Sequence, residues 1–360
     1  MTFRIYDKLC EDAKQIRTEV FVAEQGFETE FDDTDSKARH IVGYDGENPV
    51  AVCRYFYDEE HKSYMIGRIA VIKECRGLHY GDKILSFAEL MIKQNGGKSV
   101  ALSAQLRASG FYEKQGYKKH GKEYYDEYCP HVLMTDIITA MENRHAVRAY
   151  DPEKNIPKEI TDMLREKIDL LNAESGLHIQ LVTDEPKAFD SFMAHYGKFS
   201  GVTDYIALIG RKSDKLNEIC GYYGEQLVLL AAQLGLDSCW VAMSYAKVKN
   251  AYTIAKGEKL CCVISLGYGK THGTPHKSKS PEEVAVIKDD TPEWFINGVN
   301  AALLAPTAMN QQKFGFMLDG DKVLAKAGKG ILSDMDLGIV KYHFEIGSGK
   351  ELFRDEMKLI

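Results

Sequence analysis

The sequence predicts a mixed α/β (α+β) chain built as two units, residues 1–137 and 138–360, and three observations carry that reading. At 360 residues the chain exceeds one ordinary hydrophobic core and suits two. Its first 137 residues alternate short strand-like and helix-like stretches, closing on an apolar run after Pro130. A fresh start then follows at residues 142–150, with an Asp151–Pro152 turn and a long amphipathic stretch after Pro157. No Gly/Ser-rich linker separates the halves, which predicts a short connection.

Taken in order, residues 41–44, 50–56, 65–71 and 100–103 read as strands, and 132–135 as a closing strand. Residues 11–21 and 81–94 read as helices. In the second, Ile84, Leu85, Ala88, Met91 and Ile92 recur at helical spacing and mark a buried face. Composition excludes several classes. Hydrophobic residues make up 44% and charged residues 28%, the profile of a globular protein. A formal charge of −7 argues against nucleic acid or an anionic membrane as the main partner. No apolar run approaches the ~20 residues that span a bilayer. The N-terminal MTFRIYDKLC lacks the apolar core of a secretory signal. Eight scattered cysteines form no C-x-x-C pair, so neither a metal site nor a disulfide framework is expected, and the chain reads as cytoplasmic and reduced. No short-period repeat is present.

In the first unit the informative stretch is RIAVIKECRGLHYGDKIL, residues 68–85. A strand holding Ile69 and Val71 ends in a loop, residues 76–81, that opens directly into the amphipathic helix. Free amides at a helix start, aided by the dipole, bind phosphate or pyrophosphate, and Gly77 and Gly81 let the backbone turn and an anion approach. This stretch resembles the acetyl-CoA loop of the GNAT acetyltransferases, Gln/Arg-x-x-Gly-x-Gly/Ala, with Arg76 first, Gly81 last and His79 replacing the central glycine. RTEVFVAEQGFETEFDDTD, RHIVGY, IGRIAV, FYEKQGY and PHVLM follow the order of the ElaA-like branch, which extends the resemblance over nearly the whole unit. The resemblance implies a GNAT fold that uses acetyl-CoA. Val71 offers its main chain to the pantetheine arm, and the amides of Arg76, Gly77, Leu78, His79, Tyr80 and Gly81 hold the pyrophosphate. By the same resemblance Tyr112 would be the acid that protonates the departing thiolate, a role open to a phenol of pKa ≈ 10. Glu24, Glu74 and His131 are candidate proton acceptors for the amine.

Four segments of the second unit have ordinary readings singly: an arginine-bearing NRHAVRAYDP, an apolar helix and strand in GYYGEQLVLLAAQLGLDSCWVAM, a lysine loop before Ser280–Pro281, and LLAPTAMNQQKFGF with Asn310 as a local cap. Jointly they resemble the FMN-dependent nitroreductases over residues 140–350. The opening motif Arg-x-Ser-x-Arg/Lys reads as Arg144, His145, Ala146, Val147, Arg148, with Ala146 replacing serine. The resemblance implies that Arg144, Lys277 and Lys279 surround the FMN phosphate and that Arg148 lies by the pyrimidine edge. It also implies that a strand over residues 239–243, with Val241 and Ala242, runs beside the ring, the Ala242 amide facing N5. APTAMNQQ matches Ala-Pro-Ser-x-x-Asn and implicates Pro306, Thr307, Ala308 and Asn310. This segment follows the lysine loop rather than the opening motif, as in a rearranged branch whose single chain supplies what two subunits usually share. Residues 336–349 would then be a second helix of the same kind as 224–235, making a pseudo-dimeric site.

The expected enzyme is bifunctional: acetyl transfer from acetyl-CoA to an amine, and FMN-mediated reduction of nitro or quinone acceptors by NAD(P)H. Its partners are small molecules, as a monomer or homodimer. Two alternatives stay open. The flavin unit is a binding or sensing module, given Ala146 and Lys313 where the family often has proline; or the first unit is a non-catalytic acyl-CoA sensor, given His79.

Overall fold

The structure, a computed structural model, describes residues 1–59, 63–97 and 99–359, without the side chains of residues 120 and 121. It divides into two units, Met1–Thr139 and Ala140–Ile360.

The first unit is a seven-stranded sheet of order β1-β2-β3-β4-β5-β7-β6. Its elements are β1 (Thr2–Tyr6), α1 (Glu11–Arg17), β2 (Arg39–Asp45), β3 (Asn48–Asp58), β4 (Ser63–Val71), α2 (Tyr80–Gln94), β5 (Val100–Gln105), α3 (Ser109–Lys114), β6 (Tyr117–Asp126) and β7 (Cys129–Asp136). Central strands read as continuous apolar runs because helices cover both faces. On one face Ile84, Leu85, Ala88 and Ile92 of α2 pack on Ile41, Cys53, Leu102 and Met134. On the other, Ala13, Ile16, Val20 and Phe21 pack on Val42, Val52 and Ala70. The expected helix over 11–21 is α-helical only to Arg17 and widens into π turns over Thr18–Glu24.

Two irregularities shape this sheet. First, β4 and β5 are parallel neighbours that pair only at Tyr64–Val100 and Met65–Ala101, so their C-terminal ends separate. Second, β4 bulges: Arg54 faces Gly67 and Val52 faces Ala70, so Arg68 and Ile69 together stand opposite Cys53. Arg68 takes φ 53 there and turns into a cluster of ionic side chains. Arg17, fully buried, reaches Glu30 and Asp35, each at 2.6 Å. Arg54 reaches Asp32 at 2.7 Å and Asp35 at 2.6 Å, and Arg68 reaches Glu30 at 2.9 Å. Burial alone would raise the Asp32 carboxyl, but the bonds and charges of Arg54 and Arg68 hold it at about 2.

Helix α4 (Ile137–Asn143) leads into the second unit. There α5 (Lys158–Ser175) runs from Pro157 to a left-handed Gly176. An antiparallel sheet of order β10-β11-β9-β8 follows, from β8 (Gln180–Val182), α6 (Phe192–Tyr196), β9 (Asp204–Arg211), α7 (Leu216–Gln233), β10 (Asp237–Val241) and β11 (Glu258–Gly267). The chain ends with α8 (Pro281–Val284), α9 (Glu293–Ala302), a hairpin of β12 (Phe314–Asp319) and β13 (Lys322–Ala327), and α10 (Ser333–Ser348). Helices α7 and α10 cross at two glycines in a reciprocal way. A Cβ on Gly221 would lie 2.1 Å from the Met335 carbonyl, three residues before Gly338. A Cβ on Gly338 would lie 1.9 Å from the Glu218 carbonyl, three residues before Gly221. Around this contact Lys341 pairs with Glu218 at 2.6 Å, and His343 bridges Glu225 at 2.8 Å and the Ala301 carbonyl at 3.2 Å. The expected strand over 239–243 stops at Val241, whose pairing with Val263 is the last of the β10–β11 ladder, so Ala242 and Met243 lie past the strand end.

Two outcomes follow from this packing. Glu89 accepts from the Tyr117 hydroxyl at 2.8 Å, and burial pushes its carboxyl up to about 7. The folded form therefore holds a proton that the unfolded chain releases near pH 4.3, and stability falls as pH rises from there through about 7. Glu89→Gln should flatten that loss, raising the melting temperature of the first unit by roughly 3–8 °C at pH 8 with little change at pH 4, read by calorimetry. Gly338→Ala should destabilise the second unit by about 1–3 kcal/mol or more, since backbone is struck rather than a flexible side chain.

Candidate functional sites

In the first unit the parting of β4 and β5 opens a cleft of about 370 Å³ lined by Ile66, Gly67 and Ile69 of β4, Ser103 and Gln105 of β5, and the loop at residues 24–30. The turn between β6 and β7 fixes that loop: Glu127 accepts from the amides of Glu28 at 3.0 Å and Thr29 at 2.7 Å, and the Tyr128 hydroxyl donates to the Gln25 carbonyl. Tyr112 and His131 both line the cleft. Burial pushes the Tyr112 phenol up, which keeps it protonated across the working range. The His131 Nδ1 lies 3.0 Å from the Cys129 carbonyl, placing the ring proton there and leaving Nε2 as the accepting nitrogen.

The loop before α2 turns at Gly77 (φ 83) and at His79 (φ 59), which precedes the first helical residue, Tyr80. A Cβ at Gly81 would sit 3.3 Å from the Phe111 ring, so glycine lets the helix start approach α3. Among the described residues the amides of residues 77–81 have no protein acceptor, while the Arg76 amide donates to the Lys73 carbonyl at 3.3 Å. Of the residues expected to form a cradle, 76–81, Arg76 has its amide taken and 77–81 do not. The Arg76 guanidinium grips Glu24 through bonds of 2.7 and 2.6 Å and donates to the Val71 carbonyl at 3.1 Å. Exposed Leu78 flanks the turn, Tyr80 donates to Asp45 at 2.8 Å, and His79 pairs with Asp82 at 2.6 Å. Of the three candidate proton acceptors, Glu24 is committed to Arg76, Glu74 lies exposed outside the cleft, and His131 faces into it.

In the second unit the expected residues assemble as two groups. Ala146 bridges Ser238 beside β10, and the Val147 amide donates to the Ser238 carbonyl at 3.0 Å. Arg144 is 7% exposed and its Nε has no hydrogen-bond partner. Arg148 is exposed and stacks 5.8 Å from the Phe199 ring centroid. Burial pushes the Cys239 thiol up while Arg148 and Arg144 pull it down, so both cations act on β10 at Cys239. Gly273 presses on this group, since a Cβ there would lie 2.8 Å from the His145 Cβ.

The same loop then reaches the second group. Asn310 Nδ2 donates to the Lys277 carbonyl at 2.9 Å rather than capping its own helix, and Lys279 Nζ donates to the Gln312 carbonyl at 2.9 Å. Gln312, 2% exposed, is the hub: it bonds the Lys277 carbonyl at 2.8 Å, the Lys279 amide at 2.9 Å and the Thr307 hydroxyl at 3.1 Å. Asp336 holds the Ala308 amide at 2.9 Å and Gln311 at 2.8 Å, while Pro306 stays half-buried before the turn. Met309, Asn310 and Gln312 all take positive φ, a strained backbone of the kind kept at ligand sites. The sequence reading did not single out Gln312 or Asp336; Gln312 lies in the polar run of residues 310–313, where nothing marks it from its neighbours, and Asp336 precedes an apolar stretch. No described contact joins Arg144 to Lys277 or Lys279. Among the described residues no group of three His, Cys, Asp or Glu side chains could hold a metal, and no helix is long and apolar enough to cross a membrane.

Against known proteins, residues 136–348 match the family model described as "Putative TM nitroreductase", and residues 8–137 match that of the "Acetyltransferase (GNAT) domain". The uncharacterized N-acetyltransferase YjcF of Bacillus subtilis is 36% identical over 131 residues, 36% of this chain and 92% of that protein. The solved structure of Escherichia coli ElaA is 26% identical, covering 38% of this chain and 98% of its own with a TM-score of 0.34. A nitroreductase structure from Thermotoga maritima is 22% identical, covering 59% of this chain and 82% of its own with a TM-score of 0.43.

Proposed function

The chain belongs to the TM nitroreductase family and carries a GNAT acetyltransferase domain ahead of it, and from that premise we propose a bifunctional enzyme. Residues 1–137 transfer acetyl from acetyl-CoA to an amine. Residues 138–360 hold FMN and reduce nitro or quinone acceptors with NAD(P)H.

For the transferase, the observation that carries the reading is the row of unpaired amides at residues 77–81, at the start of a 15-residue helix. That arrangement suits a pyrophosphate. The parted β4 and β5 leave main-chain groups and room for a thin thioester-bearing arm. The amine nitrogen attacks the thioester carbonyl as its proton passes to His131 Nε2. The carbon–sulfur bond breaks, and Tyr112 gives its phenolic proton to the departing thiolate.

For the reductase, the carrying observation is Arg144, a buried guanidinium whose Nε lacks a partner. A buried donor left unpaired costs free energy, and an FMN phosphate would satisfy it with a charge-assisted bond. Arg148 would add positive charge beside the anionic edge of a reduced ring. When bound, FMN supplies the hydride chemistry. Thr307 and the residues tied to Gln312 give a polar, preorganised wall, with Lys277 the more open of the two lysines.

Two measurements test these halves. The purified chain should be yellow with about one FMN per chain and bleach with NADPH without oxygen. Flavin that stays oxidised would leave a binding module, and protein that takes up no FMN would end the assignment. Tyr112→Phe should lower kcat for acetyl transfer about 100-fold while the KM for acetyl-CoA moves little; unchanged turnover would remove Tyr112 as the acid.

A further inference from the structure

The charges lining the cleft between β4 and β5 do not all cancel. Six charged side chains face it: Glu24, Glu30, Arg68, Arg76, Arg107 and Asp126. Arg76 is matched by Glu24 at 2.6 Å and Arg68 by Glu30 at 2.9 Å. Arg107 and Asp126 remain. Among the described residues Arg107 meets no carboxylate. It is held instead by two neutral amides, Nε donating to Gln105 Oε1 at 2.9 Å and Nη2 to Gln25 Oε1 at 2.7 Å. Gln105 also bonds Gln25 at 2.9 Å, so the guanidinium is oriented by neutral groups, while the Glu24 carboxylate that feels its charge is bonded to Arg76. The Arg107 Nη1 donors stay available. The Asp126 carboxylate, likewise, accepts no hydrogen bond and forms no ion pair among the described residues.

Asp126 pairs across the β6–β7 turn with Cys129, whose thiol feels both open charges. Burial raises the Cys129 thiol, Arg107 pulls it down and Asp126 pushes it up. Two residues on, His131 lines the same cleft, its Nδ1 committed to the Cys129 carbonyl. One cation and one anion left open around a proton acceptor complement a molecule that carries an ammonium and a carboxylate.

Resting on the acetyl-transfer reading above, we infer that the acceptor is a small amino acid, its carboxylate received by Arg107 and its ammonium drawn to Asp126 beside His131. A planar guanidinium takes a carboxylate through two parallel bonds, so the site discriminates against the same molecule with its carboxylate masked. Aliphatic polyamines fit it poorly, since they would leave Arg107 facing a second cation.

The test uses the full chain, acetyl-CoA and matched pairs: alanine with alaninamide, glutamate with isoglutamine, and β-alanine with its amide. Release of free thiol is followed for each. At least one acid should exceed its amide in kcat/KM by about 10-fold or more. Arg107→Gln should bring that ratio near one, and Arg107→Lys, which keeps the charge but not the fork, should retain only part of it. Amides acetylated as well as acids, or a ratio untouched by Arg107→Gln, would overturn the inference while acetyl transfer stands. Acetylation of spermidine but of neither series would do the same. Acetylation of no amine at all would overturn the acetyl-transfer reading, and the inference with it.

Discussion

Three arginines and three carboxylates clustered together, four of them buried, set the form of the first unit. Arg17 comes from α1, Arg54 from β3 and Arg68 from the β4 bulge, while Glu30, Asp32 and Asp35 come from one loop. Equal and opposite charge makes the cluster tolerable, and removing one member would leave its partner buried and uncompensated, at about 3–5 kcal/mol. The geometric effect matters more than the energy. By fastening the loop to β3 and β4, the cluster pins it over the gap where β4 leaves β5. The cleft wall at residues 24–30 is thereby held from below by ions and from its outer side by Glu127 and Tyr128.

The second unit solves a similar problem with neutral chemistry. Its loop after β11 has no regular structure of its own, yet Gln312 ties it at Lys277 and Lys279, and Gly273 ties it at His145. A buried glutamine brings both donors and acceptors on one group, so it can satisfy several backbone atoms of an irregular segment. Asp336, at the start of α10, does the same for the turn at Ala308. Loop and helix are thus built together.

Much of this was legible in the sequence, and the pattern of success is physical. Strands over 41–44, 50–56, 65–71, 100–103 and 132–135 lie within β2, β3, β4, β5 and β7, because buried strands announce themselves as apolar runs. Helix α2 was readable from its stripe of Ile84, Leu85, Ala88 and Ile92. Edge strand β1 was not, since Thr2–Tyr6 is mostly exposed and carries no apolar run. The tail of α1 misled because π and α turns share a hydrophobic stripe over a few residues. In the sites, motif residues could be named but their commitments could not. That Glu24 is spent on Arg76, that the Arg76 amide is taken by Lys73, and that Lys279 serves Gln312 all depend on partners far along the chain or on the turn geometry. Periodicity reports which face is buried; it is silent on which polar atoms have found each other.

The glycine-to-glycine crossing of α7 and α10 carries a consequence of another kind. Both helices belong to one polypeptide, so their meeting is a unimolecular event whose equilibrium does not depend on protein concentration. A pair of identical helices on separate chains must change together, since one codon serves both sides. Here each side has its own codons, and the residues that meet differ: Glu218 on α7 opposes Lys341 on α10, and Glu225 opposes His343. Asymmetry of this sort lets one arm of the crossing specialise while the other keeps the join.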